Sequence, residues 1–95
     1  MSRHNSKFSY HLSRLDVVEL FKDFLRERRC YCKIPVIDIL KANADYALTK
    51  KKKLYPYLQF KKLSNGAERY RQADCDEWFY TVFIHLEKSK LITVA

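Results

Sequence analysis

Two stretches of the chain place apolar residues at helical spacing. The first begins at Ser13, an N-cap residue followed three positions on by the carboxylate of Asp16, and it predicts a helix over residues 14–29. Its apolar face consists of Val17, Val18, Leu20, Phe21, Phe24 and Leu25. The second begins at Asp74, paired in the same way with Glu77, and it predicts a closing core helix. Its apolar face consists of Cys75, Trp78, Phe79, Val82, Phe83 and Leu86.

Between these helices, the dipeptide Ile34–Pro35 ends one segment and opens a second helix, because proline is tolerated at the first helical position. The expected apolar stripe consists of Val36, Ile37, Leu40 and Ala44. The helical period fades at residues 43–46, and Thr49 offers a new N-cap. Pro56 must then stop or kink the following helix. We therefore predict a helix, a short turn and a third helix of about two turns.

After Pro56 the period changes to two. The dipeptide Asn65–Gly66 lies between two β-capable runs and predicts a hairpin with positive φ at both residues. With a two-residue loop, Lys62 would face Arg69 across the strands. Like charges directly opposite each other are unfavourable unless an anion lies between them, so this pairing favours an anion-binding hairpin.

Together these elements predict a mostly helical α+β fold, a winged helix-turn-helix with about four helices and one β-hairpin. At 95 residues the chain is expected to form one domain, residues 13–95, preceded by a flexible basic arm, residues 1–12. The three cysteines and the lack of an apolar N-terminal segment favour free thiols in a reducing compartment. We expect an intracellular protein, cytoplasmic and nucleoid-associated or nuclear, without membrane contact.

Positive charge is concentrated in the middle of the chain. The net charge is +8, and residues 34–72 carry nine basic and three acidic side chains, a net of +6, whereas residues 73–95 carry a net of −2. A concentrated excess creates a local potential that attracts phosphate backbones. The residues expected to contact DNA are Lys50, Lys51, Lys52, Lys53, Lys61, Lys62, Arg69 and Arg71. At most two of the four consecutive lysines could face one groove, because such a run circles a helix.

Residues 60–79, "FKKLSNGAERYRQADCDEWF", resemble the wing and following helix of winged-helix proteins of the phage-excisionase and AlpA type. In that family a basic hairpin strand leads into a polar turn, an Asp and a helix with an early Trp. The resemblance covers about a fifth of the chain, and it implies DNA binding by the short helix before the hairpin with further contacts from the wing. Two features depart from the family: the helix at 14–29 precedes the expected start of the fold, and the lysine-rich segment lacks the usual small residues.

Catalytic patterns are weak in this sequence. The three histidines, His4, His11 and His85, are scattered, and the single glycine excludes a glycine-rich phosphate loop. Cys30 and Cys32 form a C-x-C pair without a second pair or a histidine at ligand spacing, which does not favour a zinc site. We therefore expect no enzyme activity, no metal and no cofactor.

Two hypotheses for function follow. The first is double-stranded DNA binding, with or without sequence specificity, by a small transcriptional regulator or a recombination or architectural factor of a mobile element or virus. The second is a small basic viral or phage protein that inhibits a host factor by protein–protein contact. The last helix also carries apolar residues on its back face, and these and the tail residues after it have no obvious partner within so short a chain, which favours a homodimer. The alternative is that the N-terminal helix folds back to cover this face. The residues expected at the dimer interface are Tyr80, Ile84, Leu91 and Ile92.

Overall fold

The computed structural model describes residues 8–49 and 55–94, with side chains for all of these except residues 44–49. In chain order, the elements are α1 (Arg14–Glu27), β1 (Cys30–Cys32), α2 (Val36–Thr49), β2 (Lys61–Lys62), β3 (Glu68–Arg69), α3 (Gln72–Lys88) and β4 (Ile92–Val94). The chain is thus a small α+β domain, and the three helices account for about half of its residues. None of the helices in the described part of the chain is long and apolar enough to cross a membrane.

The start of α1 confirms the predicted capping box. The Ser13 side chain accepts a hydrogen bond from the Asp16 backbone N–H, and the Asp16 carboxylate accepts one from the Ser13 backbone N–H at 2.9 Å. These two bonds satisfy amide groups that the helix itself leaves without partners. The helix ends at Glu27, two residues before the predicted end, and Arg29 follows in the left-handed region with a φ of 56°.

Helix α2 corrects the prediction of a turn near residues 43–46. It runs without interruption to Thr49, so the described residues contain three helices rather than about four. The predicted third helix falls on residues 50–54, which lie outside the described residues. The apolar pattern is interrupted at Asn43 because this polar side chain occupies a buried position on the apolar face of the helix. Its side-chain amide is satisfied there by a hydrogen bond to another segment. Ile39 also faces the core, whereas Ile37 is only partly buried.

The hairpin forms at the predicted place, but with a different register. Lys61 faces Arg69 and Lys62 faces Glu68, so the predicted pairing of Lys62 with Arg69 is wrong by one position. The reason is the loop length: the Leu63 N–H donates to the Ala67 carbonyl at 2.8 Å, which leaves three residues in the loop rather than two. Of these residues only Gly66 has a positive φ, at 89°.

Helix α3 begins three residues earlier than predicted. Its N-cap is Arg71 rather than Asp74, and Asp74 lies in the first turn, where its carboxylate binds Arg71. The predicted core face is confirmed, since five of its six residues are buried and Phe83 packs partly buried against them. Phe21 of α1 joins this face, with its ring centroid 5.1 Å from that of Phe79.

A second small sheet, β1 paired antiparallel with β4, was not predicted. Cys30, Tyr31 and Cys32 face Val94, Thr93 and Ile92 in that order. The sheet returns the end of the chain to the turn between α1 and α2. Leu91 and Ile92 pack partly buried against the core, so the premise that these tail residues lack a partner within the chain is wrong.

Leu12 lies inside the domain, although the sequence places it in the arm. Its side chain is buried, and its backbone exchanges two hydrogen bonds with Tyr70, at 2.8 and 3.0 Å. The bridge places one extended residue beside the end of β3. The domain therefore includes Leu12, and residues 1–7 of the predicted arm lie outside the described residues.

Candidate nucleic-acid interface

The outer face of the hairpin carries two basic residues directly opposite each other. Residues that face each other across antiparallel strands lie on one side of the sheet, so Lys61 and Arg69 share a face. Lys61 is exposed and Arg69 is partly exposed, with one guanidinium N–H donated to the Glu68 carbonyl. Leu63 and Ala67 continue this face toward the loop. Within the hairpin, the outer face thus presents two cations and no carboxylate.

The inner face of the hairpin is held by a carboxylate that is not among the predicted binding residues. The Glu68 carboxylate accepts hydrogen bonds from Arg14 and from the hydroxyl of the buried Tyr70, both at 2.8 Å. Burial, the largest single effect, would raise the pKa of Glu68, but the two hydrogen bonds together with the positive charges of Arg14 and Lys62 outweigh it and lower the pKa below 4.5. Lys62, opposite Glu68, is exposed near the loop. Arg14 and Glu68 therefore join the start of α1 to the hairpin.

Arg71 occupies a structural position. Its guanidinium makes two hydrogen bonds of 2.9 Å to the Asp74 carboxylate and lies 5.2 Å from the centroid of the Tyr10 ring. A bidentate pair of this kind fixes the side chain and neutralises much of its charge. Arg71 thus differs from Arg69, since Arg71 is hydrogen-bonded to a carboxylate of its own helix, whereas the Asp16 carboxylate interacts with Arg69 through charge attraction alone.

The four lysines predicted to bind DNA, residues 50–53, lie outside the described residues, but the chain on both sides of them is firmly held. The buried side-chain amide of Asn43 accepts a hydrogen bond from the Leu58 N–H and donates one to the Leu58 carbonyl, at 2.6 and 3.0 Å. The indole N–H of Trp78 donates to the Pro56 carbonyl at 2.8 Å. Tyr55 packs edge-on against His85. These contacts therefore fix the chain both before and after the lysine run.

Asn43 could have been found from its position in the sequence. It follows Ile39 and Leu40 at the spacing of the buried face, and a polar residue on such a face must find hydrogen-bond partners. Glu68 had a comparable signal, as the one acidic residue between Thr49 and Arg71. In both cases the partner lies far along the chain, so only the tertiary structure identifies it.

The residues predicted for a dimer interface have different surroundings. Ile84 is exposed, with 51% of its surface accessible. The Tyr80 ring packs edge-on against Phe24, and its hydroxyl accepts a hydrogen bond from Arg28 at 2.8 Å. Leu91 and Ile92 contribute to the core and to the β1–β4 connection, as described above. The end of α1 therefore contacts the Tyr80 side chain but does not cover it, since Tyr80 is 56% exposed.

The cysteines are free thiols, as the sequence predicted. Burial raises the pKa of Cys75 to about 12 and that of Cys32 to about 11, so both stay protonated at neutral pH. Among the described residues, no group of three or more His, Cys, Asp or Glu side chains could hold a metal ion. His11 binds the backbone of Ser9, and His85 packs against Tyr55.

The Glu68 contacts predict a specific pH dependence of stability. The pKa of Glu68 is lowered in the folded state. The ionised Glu68 side chain therefore contributes its full stabilising effect above pH 4.5, and this effect is lost as the pH falls through the lowered pKa. The variant Glu68→Gln should be less stable than the parent at pH 7, and the difference should disappear below the pKa of the folded state, where the parent residue is also neutral. Urea unfolding across this range checks the result, and a constant difference at all pH values would contradict it.

The architecture defines a small basic α+β domain with an exposed cationic hairpin. Comparison with protein-family models, curated proteins and solved structures finds no match for this chain.

Proposed function

We propose that this chain binds double-stranded DNA through the phosphate backbone, with the outer face of the hairpin and the lysine run at residues 50–53 as its contact surface. Such binding suits a small transcriptional regulator or a recombination or architectural factor. A winged-helix arrangement, in which the lysine run lies near a groove and the hairpin reaches the flanking backbone, is part of the proposal. The hairpin between α2 and the closing helix α3 supports it.

The observation that carries the proposal is the direct opposition of Lys61 and Arg69. Like charges facing each other across two strands destabilise a hairpin, and the hairpin supplies no carboxylate on that face. The one acidic residue of the hairpin, Glu68, is on the other face and is bound by Arg14 and Tyr70. A phosphate group between Lys61 and Arg69 would remove the repulsion, so DNA is the kind of partner that this face suits.

The charge distribution along the chain supports attraction of DNA to the middle of the chain rather than to the whole protein. The segment from Thr49 to Arg71 contains eight basic residues and one acidic residue. The following residues, 73–95, carry a net charge of −2. The phosphate charges of a duplex would therefore be attracted to the middle of the chain and repelled by residues 73–95.

Removal of the hairpin cations should reduce the salt dependence of DNA binding. The double variant Lys61→Gln/Arg69→Gln is expected to lower the slope of log K against log salt by about 1.8, since each lost phosphate contact removes about 0.9. The loss should be similar for duplexes of unrelated sequence, because phosphate contacts position a protein without reading bases. Fluorescence anisotropy with a short duplex at several salt concentrations measures the slope.

A matched control removes the same charge elsewhere. Lys88 and Lys90 are exposed at the far end of α3, and Lys88 lies 16 residues from Gln72, which is about 24 Å along a helix. The variant Lys88→Gln/Lys90→Gln should leave the slope close to that of the parent. Equal slopes for both double variants would remove the hairpin from the interface.

The proposal does not require a dimer. Leu91 and Ile92 are used within the chain, and Tyr80 is bound by Arg28. One copy of the chain already places Lys61 and Arg69 on a single face. A monomer can therefore make the proposed phosphate contacts.

A further inference from the structure

A cleft lies beside β1, away from the hairpin. It has a volume of about 500 Å³ and is bounded by the second half of α1, all of β1 and the residues that lead into α2. Leu25, Ile34 and Val36 are among its apolar lining residues. No residue of β4 lines it, so the cleft lies along the side of β1 that faces away from its partner strand.

The backbone of β1 has an open edge on that side. The Lys33 N–H donates to the Leu91 carbonyl at 2.7 Å, and hydrogen-bonded and non-bonded pairs alternate along antiparallel strands. In the observed register this makes Tyr31 a bonded pair with Thr93, and it directs the N–H and C=O of Cys32 outward, away from β4. Among the described residues no other strand pairs with β1. An edge of this kind accepts a further strand.

The charge of the cleft has one sign. Its charged lining residues are Lys22, Arg26, Arg29 and Lys33, and no carboxylate is among its lining residues. Arg26 and Lys22 bind Asp23 and Glu19 on the outside of α1. Arg29 and Lys33 form no ion pair with any described residue. A ligand in the cleft would therefore meet two cations that lack an anion in the described part of the chain.

Arg29 is also unusual in its backbone. Its φ of 56° lies in the left-handed region, where glycine is the favoured residue at the end of a helix. A side chain at this position costs free energy that glycine would avoid. Glycine would therefore fit the backbone at this position without strain.

We propose that this cleft binds an extended acidic peptide segment of a partner protein, which adds as a strand to the open edge of β1. The backbone of the peptide pairs with the N–H and C=O of Cys32, and its acidic side chains approach Arg29 and Lys33. Its apolar side chains, which alternate with the acidic ones, occupy the apolar part of the cleft. A DNA backbone has no row of N–H and C=O groups to match this edge, so the site is distinct from the hairpin surface.

A fluorescein-labelled peptide of alternating Glu and Val, about six residues long, tests the proposal. The parent protein should bind it, and the Cys32 amide hydrogen should exchange with solvent more slowly in the complex. The same peptide with N-methylated backbone amides keeps its charge but cannot pair with a strand, so it should bind at least about tenfold more weakly. Equal binding of both peptides, or no change at Cys32, would overturn the proposal.

Charge variants of the protein separate this cleft from the hairpin. Arg29→Gly/Lys33→Gln removes both cations, and glycine suits the backbone at residue 29, so the variant should stay folded. We expect it to bind the peptide about tenfold more weakly and to bind DNA as the parent does. The hairpin variant Lys61→Gln/Arg69→Gln should show the opposite pattern. Peptide binding that falls equally in both variants would show attraction to net charge alone and would overturn the proposal.

Discussion

Replacement of Asn43 by Leu should lower the free energy of unfolding by about 3 kcal/mol. Leucine has the same branched arrangement of four side-chain heavy atoms as asparagine, but it can neither donate to the Leu58 carbonyl nor accept from the Leu58 N–H. Asn43 and Leu58 are both 2% exposed, so water cannot take over these two bonds. Each buried backbone group left without a partner costs about 1–3 kcal/mol.

Thermal unfolding measures this effect directly. A loss of about 3 kcal/mol corresponds to a decrease in Tm of roughly 12–24 °C for a domain of this size. The control is Asn65→Ala in the exposed hairpin loop, which removes a hydrogen bond to the Ala67 N–H at a site that water reaches. The control should cost less than about 1 kcal/mol. An Asn43→Leu variant as stable as the control would show that the bonds between Asn43 and Leu58 do not hold the segment after the lysine run.

The second large effect concerns the lysine run. Replacement of all four lysines, residues 50–53, by Gln should weaken binding to duplex DNA by roughly 60-fold at 0.1 M salt if two of them contact phosphates. The slope of log K against log salt should decrease by about 1.8 in the same variant. The stability of the domain should change little, because none of these lysines belongs to the described hydrophobic core.

A control with the same change in net charge makes this result specific. Lys22, Lys41, Lys88 and Lys90 are exposed and lie in or beside the three helices. Their replacement by Gln removes four charges and leaves the lysine run intact. If both fourfold variants lose the same affinity, DNA responds to net charge alone and the lysine run is not part of an interface.

The sequence predicted the parts of the fold that local patterns specify. Ser13 and Asp16 act within four residues of each other, so the start of α1 could be predicted together with its capping bonds. The core face of α3 repeats at helical spacing and was also predicted. The hairpin was placed correctly because Gly66 supplies the positive φ that its loop requires. These features depend on neighbours in sequence.

The errors arose where distant contacts decide the structure. Asn43 appeared to interrupt a helix, but Leu58, 15 residues later, satisfies its amide and lets α2 continue. The register of the hairpin depends on one further loop residue, which places Glu68 rather than Arg69 opposite Lys62. Strands β1 and β4 have only three residues each and are separated in the sequence by α2, the hairpin and α3. No local pattern identifies such a pair.

The described residues among those predicted to bind DNA differ in whether a carboxylate is hydrogen-bonded to them. Lys61 and Arg69 share one face, as a binding hairpin requires, although the sequence had paired Arg69 with Lys62. Arg71 proved to be paired with Asp74, because α3 begins at Gln72 and places that carboxylate within reach. Net charge along the sequence cannot distinguish a paired cation from an unpaired one.

The most direct test of DNA binding is a salt titration of the parent protein with a duplex of random sequence. Contacts from two residues of the lysine run together with Lys61 and Arg69 predict a slope of log K against log salt of about −3.6. The affinity should then decrease by roughly 150-fold between 50 and 200 mM salt. Measurable binding with a slope near zero, or no binding at 50 mM salt, would contradict the proposal that this chain binds the phosphate backbone of DNA.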